Sequence, residues 1–313
     1  MTKTSQGGIA IAKKIASVYR CNPNVQVMIL GGSVARQWAD PYSDLELGVF
    51  WNSPPTDEER TTLIRQAGGD LWTFHSHPPY STWIASEHWG LERIEIDSRT
   101  YAGTSMIDVK HMTVTNLEQC IQDVIEELDT ALDKQVVLSA IVDGISLIGD
   151  EALQNWQLQA RSFPTPLAVK IVQENLWFGP WFPALGYIER NDVLVTHQHF
   201  IWAGQSMLRV LAALNRVYYP SSEHKWMTRL ANELQFAPPN LAERLQEVFT
   251  LDLAGGWKSL RTLLDETIQL VEEHLPEVNS MALFKDHPEI NTDWAKNRWE
   301  PNPPYTLMAS IGS

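Results

Sequence analysis

VQVMILGGSVARQWADPYSDLELGVFW, residues 25–51, is the stretch of this chain that decides its fold. Its first six residues form a short apolar run rich in β-branched side chains, which is typical of a buried strand. Gly31-Gly32-Ser33 then breaks the run into a tight turn and opens a brief helix, predicted over 34–39. The next four residues, Asp-Pro-Tyr-Ser, have turn chemistry. A second strand is predicted over 44–51.

The Gly-Gly-Ser turn has the chemistry of a phosphate site. Consecutive backbone N–H groups at the start of a helix are unpaired donors, and the helix dipole adds to their preference for negative charge. Gly32 supplies such a backbone group, and the hydroxyl of Ser33 adds a donor. Arg36, just after the turn, is a weaker candidate for the same role. Because glycine turns are common, this turn indicates a phosphate site only in combination with the acidic strand that follows it.

Two carboxylates begin the second strand. Alternation along a strand places Asp44 and Glu46 on one face, while Leu45 and Leu47 point to the other face and the core. Two ionised acids side by side repel each other, a cost that is relieved by a shared proton or a bound cation. Mg²⁺ prefers such hard oxygen ligands and bridges carboxylates to phosphates. Asp-x-Glu alone is more often a solvated face, but the combination with the turn predicts a metal-dependent phosphate site.

The stretch from Gly31 to Leu47 resembles the signature of the polymerase β-like nucleotidyltransferase superfamily, in which Gly-Ser precedes an acid-x-acid strand. Ser43, immediately before Asp44, also suits that pattern and is expected near the nucleotide. The resemblance implies a Mg²⁺-dependent transfer with two ions bound, and Asp44 and Glu46 as ligands. It also implies a third carboxylate from a later strand.

Asp108 is our candidate for that third carboxylate. Residues 91–115 indicate two extended segments around a turn at Gly103-Thr104, and Asp108 is the single acid of the second segment. Asp97, on the first segment, is the competitor, in a less strand-like context. In the resembling enzymes this acid either completes the metal site or takes the proton of the attacking hydroxyl, and the sequence leaves both roles open.

Composition bounds the function further. The chain has 313 residues, 44% of them hydrophobic and 20% charged, enough for two domains with sizeable cores. A formal net charge of −14 argues against a broad nucleic-acid surface, so nucleic acid is not an expected partner. No segment is apolar enough for a membrane span or a secretory signal. Only two cysteines, without metal-ligand spacing, favour a reducing, cytoplasmic location.

From Leu117 the apolar spacing is helical, with a second helical stretch over 136–147 that ends near Ile148, and beyond Pro166 no strand alternation is evident. Ser162-Phe163-Pro164-Thr165-Pro166 breaks the pattern twice within three residues, so we place the domain boundary there. The fold class is therefore predicted as α+β. A nucleotidyltransferase domain with a mixed sheet spans residues 1–163, and an all-α domain for nucleotide and acceptor binding spans residues 164–313.

Within that second half, residues 214–227 resemble a segment of a two-domain family of nucleotidyltransferase-like proteins related to aminoglycoside and lincosamide adenylyltransferases. The resemblance implies that Lys225 contacts the nucleotide triphosphate, although a surface lysine is an equal alternative. It also implies that Glu189 and Asp192 hold the amines of an acceptor. Asp at the start of a helix is usually an N-cap, which is the competing interpretation of Asp192. His75-Ser76-His77-Pro78-Pro79 indicates a loop rather than a zinc site.

These observations predict a cytoplasmic, Mg²⁺-dependent nucleotidyltransferase. It would move AMP from ATP, its nucleoside triphosphate donor, onto a hydroxyl of a small-molecule acceptor such as an aminoglycoside-like compound. Two alternatives stay open: nucleotidylation of a protein or a tRNA, and a catalytically silent nucleotide-binding protein. The sequence leaves the acceptor's identity, the nucleotide preference and the oligomeric state undecided.

Overall fold

The computed structural model of this protein describes residues 3–77, 81–96, 99–176 and 186–278. The described chain forms two compact units. The first contains residues up to Leu167 together with Tyr218–Ser222, and the second contains the remaining described residues from Ala168 onward. Within the described ranges, no helix is both long and apolar enough to cross a membrane.

The first unit is an α+β structure built around a mixed six-stranded sheet. Its strands are β1 (Val25–Leu30), β2 (Leu45–Trp51), β3 (Asp70–Ser76), β4 (Ala85–Ile96), β5 (Arg99–Thr113) and β6 (Ile145–Ile148). Its helices are α1 (Lys3–Tyr19), α2 (Gly32–Ala35), α3 (Asp57–Gln66), α4 (Val114–Ile125), α5 (Leu132–Asp143) and α6 (Asp150–Ala160). Helix α7 (Thr165–Asn175) begins in this unit and continues into the second.

The regular elements described further along the second unit are helices. They are α8 (Val193–Leu214), α9 (Met227–Glu233), α10 (Leu241–Glu247) and α11 (Leu253–His274). Because the predicted all-α domain also covers residues outside the described ranges, that prediction stays a prediction. The return of Tyr218–Ser222 to the first unit has no counterpart in the helical periodicity of the sequence.

The strand order across the sheet is β3-β4-β5-β2-β1-β6. Strand β2 pairs with β5 in parallel, and the other neighbouring pairs are antiparallel. One face of the sheet is covered by α1 and α3, where Ile15, Leu47 and Val109 belong to one apolar core. Because side chains alternate along a strand, Glu46 and Asp108 point to the opposite face, away from that core.

Several predicted boundaries are corrected by the structure. Strand β1 has the predicted bounds, but α2 ends at Ala35 rather than at residue 39. It ends early because Gln37 adopts a left-handed conformation, with φ of 63°, that a helix does not continue. The chain at 145–148, predicted as the end of a helix, is instead β6, which starts directly after Gly144 at the end of α5. His75 and Ser76, expected in a loop, end strand β3.

The predicted turn at Gly103-Thr104 is wrong. Both residues lie inside β5, and the hairpin closes between Ile96 and Arg99, at residues outside the described ranges. Asp97, the competing third carboxylate, lies among those undescribed residues. The pairing register shifts between Leu91 and Arg93, so Gly103-Thr104 occupies a β-bulge. An isolated glycine inside a strand commonly marks such a bulge rather than a turn.

Candidate active site

A row of polar residues crosses four strands of the sheet. The strand register pairs Glu46 of β2 with Asp108 of β5, Asp108 with His88 of β4, and His88 with Thr73 of β3. Paired residues on neighbouring strands point to the same face and lie about 5 Å apart per strand. Two carboxylates, a histidine and a hydroxyl therefore share one face. Asp44 directly precedes β2, two residues before Glu46.

The glycine turn lies against the first of these carboxylates. The Gly31 N–H donates to the Glu46 carbonyl oxygen over 2.9 Å, which extends the β1–β2 ladder into the turn. Gly32 has a φ of +59°, and a Cβ added there would lie 1.3 Å from Glu46 Oε2. A side chain at residue 32 would therefore take the space of the carboxylate, and the turn requires glycine for both conformation and room.

The charges around Glu46 are linked. Burial raises the pKa of the Glu46 carboxyl, and the negative charges of Asp44 and Asp108 raise it further, against the opposing effects of Lys110 and Arg36. This is the electrostatic situation of several carboxylates that share one site. The structure therefore places Asp44 and Asp108 within electrostatic reach of Glu46.

Asp108 is a buried carboxylate whose charge the protein leaves incompletely satisfied. It is 8% exposed, and its Oδ1 has no hydrogen-bond partner. Two nitrogens lie within 4 Å of its oxygens: His88 Nε2 is 3.6 Å from Oδ1, and Lys110 Nζ is 3.7 Å from Oδ2. Both distances exceed a normal hydrogen bond. Because a buried unsatisfied carboxylate is costly, the arrangement is typical of a group that meets its partner in a ligand.

His88 and Lys110 are the functional candidates that sequence reasoning missed. The ring of His88 is oriented by Thr73, whose Oγ1 lies 2.9 Å from Nδ1, so Nε2 faces Asp108. Lys110 follows Asp108 by two residues on the same strand and so shares its face. The signal for Lys110 was the same alternation that identified Asp44 and Glu46. His88 was missed because strand β4 was hard to recognise from the sequence: the charged Glu87 interrupts the alternating apolar residues of that strand.

Asp108 and Lys110 border a cavity of about 80 Å³ in the first unit. Its polar wall is formed by Gly31, Gly32, Arg36, Glu46, Asp108 and Lys110, and its apolar wall includes Ile29, Trp83, Val136, Ala140 and Pro220. At about 30 Å³ per water, this is room for two or three waters or one phosphate-sized group. A nucleoside needs several times that volume. The cavity therefore suits reacting phosphates, and larger parts of a substrate would lie outside it.

The other residues predicted near the phosphates have varied surroundings. Ser33 is buried within α2. Arg36 lines the cavity, but its Nε donates to Asp143 Oδ2 over 2.7 Å and its Nη2 donates to Ser139 Oγ over 2.9 Å. The Ser43 hydroxyl donates to Asp40 Oδ1 over 3.0 Å and so closes the turn before β2. Their contacts with a nucleotide stay predictions.

The remaining predicted residues belong to the second unit. Lys225 is exposed, and its Nζ forms an ion pair with Glu223 Oε2 over 2.8 Å. Glu189 and Asp192 are exposed too. Asp192 occupies the N-cap position of α8 without a side-chain cap hydrogen bond, so the capping interpretation finds no side-chain contact. The roles of these three residues in binding a nucleotide or an acceptor stay predictions.

The donor set of the first unit fits Mg²⁺ in its chemistry. Carboxylate oxygens of Asp44, Glu46 and Asp108 are the hard ligands this ion takes, and Asp108 Oδ1, which has no hydrogen-bond partner, is an oxygen that such an ion could use. In the described part of the chain, however, no group of three or more His, Cys, Asp and Glu side chains is already arranged to hold a metal ion.

Comparison with known proteins adds little to this picture. No family model and no curated protein sequence matches the chain. Among solved structures, a nucleotidyltransferase-like protein from Exiguobacterium sibiricum 255-15 is similar over 90% of this chain and 80% of its own, with 11% identity and a TM-score of 0.39. The Cid1 poly(U) polymerase is similar over 44% of this chain and 40% of its own, with 13% identity and a TM-score of 0.24. Such low scores establish neither a family nor an activity.

Proposed function

We propose that this protein is a nucleotidyltransferase that moves a nucleoside monophosphate from a nucleoside triphosphate, ATP in the first instance, to a hydroxyl of a small molecule. One observation carries the proposal: Glu46 and Asp108 pair on adjacent parallel strands, and Asp108 is buried with one oxygen that has no hydrogen-bond partner. The glycine turn lies beside this pair, and the Glu46 carboxylate occupies the space that a side chain at residue 32 would need. A purely structural pair of acids would be expected to find protein donors.

In the proposed reaction the acceptor hydroxyl oxygen attacks the α-phosphorus, the bond from that phosphorus to the bridging oxygen breaks, and pyrophosphate leaves with the electron pair. Asp108 accepts the proton of the hydroxyl. The backbone N–H groups of Gly32 and Ser33 bind phosphate oxygens, and the buried setting strengthens those contacts. Asp44, Glu46 and Asp108 would hold Mg²⁺, which when bound neutralises charge on the phosphates.

Pyrophosphate release tests this proposal. ATP, GTP, CTP and UTP are each incubated with Mg²⁺ and a panel of aminoglycosides, lincosamides, sugars and sugar phosphates, with Asp44→Asn as the blank. We expect acceptor-dependent release that disappears in the blank. Retained release in Asp44→Asn would refute the assignment of the site. Label from ATP found on protein or tRNA, and absent from small molecules, would refute the proposed class of acceptor.

A further inference from the structure

A second row of polar groups lies beside the carboxylate row on the same face of the sheet. The register pairs Lys110 of β5 with Ser86 of β4, and Ser86 with His75 of β3. His77 follows the end of β3, and its Nε2 lies 2.9 Å from Ser86 Oγ. Burial, followed by the charges of His75 and Lys110, lowers the pKa of His77, so these groups are within electrostatic reach of each other. This corner of the sheet is rich in hydrogen-bond donors.

An exposed aromatic ring adjoins the two rows. Trp72 sits at the register shift of β3 and is 46% exposed. Its indole lies over the backbone of β4, because a Cβ added at Gly90 would be 2.3 Å from Trp72 Cζ2. Gly90 is two residues from His88 and shares its face. Glycine at this position leaves room for the tryptophan ring over β4, and part of the ring surface is exposed and able to contact a ligand.

The order of the strands indicates whether the polar groups on β3 and β4 contact the nucleotide or the acceptor. From β1 towards β3, the sheet presents the glycine turn, then Glu46, then Asp108, and then the rows on β4 and β3. Attacking and leaving oxygens lie roughly in line through the transferred phosphorus. With pyrophosphate held at the glycine turn, the acceptor must approach from the opposite side. Resting on the proposed function, this places the acceptor over β4 and β3.

We propose that the acceptor is a ring-bearing small molecule that carries a phosphate group. Its phosphate contacts Lys110, with Ser86, His75 and His77 nearby, and its ring packs on Trp72. With neighbouring strands about 5 Å apart, Ser86 and His75 lie one and two strand spacings from β5, the strand of Asp108 and Lys110, and this distance is about the reach of a sugar phosphate from its reacting hydroxyl. Besides Glu46 and Asp108, this face carries Asp70, which pairs with Gly90 at the far end of β3. A polyamine would meet Lys110 and the histidines first, so the aminoglycoside-like acceptor predicted from the sequence suits this surface less well.

Binding without turnover tests the proposal independently of catalysis. Calorimetric titrations of the full chain compare ribose 5-phosphate and glucose 6-phosphate with ribose, glucose and kanamycin, without nucleotide. We expect each sugar phosphate to bind at least tenfold more tightly than its parent sugar. Lys110→Gln should remove most of that difference. Lys13→Gln, which removes an equal charge from an exposed position on α1, should leave it unchanged.

The aromatic part is tested with Trp72→Ala and Trp72→Phe. Loss of stacking should weaken binding of both the phosphates and the parent sugars by several-fold in the alanine variant, with recovery in the phenylalanine variant. Circular dichroism identifies any variant that fails to fold, and Lys110→Met then replaces Lys110→Gln. Tighter binding of kanamycin, of a short RNA oligomer, or of the parent sugars, or no phosphate binding at millimolar concentration, would overturn the proposal. Because no turnover is measured, these results are independent of whether pyrophosphate release is found.

Discussion

On strand β4, the neighbouring residues Glu87 and His88 point to opposite faces of the sheet, and their surroundings differ in kind. Glu87 faces α3 and is fully buried, with both carboxylate oxygens paired: Arg60 Nη1 donates to Oε2 over 3.1 Å, and His111 Nε2 lies 2.6 Å from Oε1. His88 faces the cavity side and lies 3.6 Å from Asp108, whose Oδ1 has no partner.

We call the face of the sheet that carries Glu87, with its partners Arg60 and His111, the paired face. On this face the hydrogen bonds identify which nitrogen of His111 carries the proton. Trp51 Nε1 lies 2.9 Å from His111 Nδ1, and because an indole N–H can only donate, Nδ1 must accept. The ring proton is therefore on Nε2, from which it donates to Glu87. The comparison teaches that burial of a charged residue is no sign of function. An acid that the protein satisfies holds the fold together, and an acid that the protein leaves unsatisfied is available to a substrate.

The largest expected effect of the difference between Asp108 and Glu87 is a loss of activity when Asp108 is changed. Asp108→Asn should reduce acceptor-dependent pyrophosphate release by about 10³-fold or more, because the neutral amide neither accepts the hydroxyl proton nor adds negative charge to the site. Its unfolding midpoint should change little, since Asp108 Oδ1 loses no protein partner. Glu58→Gln, an exposed change on α3, serves as the control. A large loss of stability with activity retained would reverse the roles of the two faces.

The corresponding change on the paired face should act on stability instead. Glu87→Gln removes the fully buried one of the two carboxylates that Arg60 contacts and leaves only the exposed Asp57, and breaking a buried pair from one side costs about 3–5 kcal/mol. Urea denaturation measures the free energy of unfolding, again beside Glu58→Gln, which should stay within about 0.5 kcal/mol of the native chain. If Glu87→Gln proved neutral, the network would not be the structural element inferred here.

Two glycine substitutions distinguish the effect of backbone strain from the effect of a new side-chain atom in the candidate active site. Gly32→Ala adds a Cβ at the position of the Glu46 carboxylate, whereas Gly68→Ala, at a φ of +80°, has nothing within 4 Å of the new atom. Both incur the left-handed penalty of about 1–2 kcal/mol. Only Gly32→Ala should also lower activity, by at least tenfold, as measured by pyrophosphate release. Equal activity in the two variants would show that Glu46 has no fixed position in catalysis.

The smallest expected effect is the pH dependence of stability at Glu46. Its pKa is raised in the folded state, so the folded chain holds that proton more tightly than the unfolded chain. The contribution of Glu46 is therefore complete below its ordinary pKa and is lost as pH rises through the raised value. Glu46→Gln lacks this loss and should become more stable than the native chain as pH rises above the ordinary range of a glutamate.

Denaturation between pH 4 and 8 in the presence of a chelator measures this difference, since a bound cation would itself favour the ionised carboxylate. Glu87→Gln, on the paired face, should be less stable than the native chain throughout that range. A Glu46→Gln variant whose difference from the native chain did not grow with pH would contradict the raised pKa.

Local features of the fold were predictable where a few neighbouring residues decide them. The bounds of β1 and the turn at Gly31-Gly32 followed from a β-branched run interrupted by glycines. The spacing of Asp44 and Glu46 placed both on one face. At Gly103 the same reasoning failed, because a glycine that marks a turn and a glycine that marks a bulge look alike until the partner strand is known.

Non-local pairing decided the rest. Glu46 and Asp108 are brought side by side by a parallel register between strands that lie far apart in the chain, and His88 reaches Asp108 only because β4 pairs with β5 in one particular register. A slip of one residue would exchange His88 for Glu87 and present a different side chain to the site. No local pattern contains that information.

Neighbouring residues alone were enough to predict the glycine turn, the carboxylates that come after it and the strand character around Asp108, because turn chemistry and alternation are properties of adjacent residues. The three-dimensional fold was needed to show which acids meet, which histidine and lysine lie beside them, and which buried carboxylate has an oxygen without a hydrogen-bond partner. Those outcomes depend on strand register and on the packing of helices against one face, where the free energy of many distant contacts is summed.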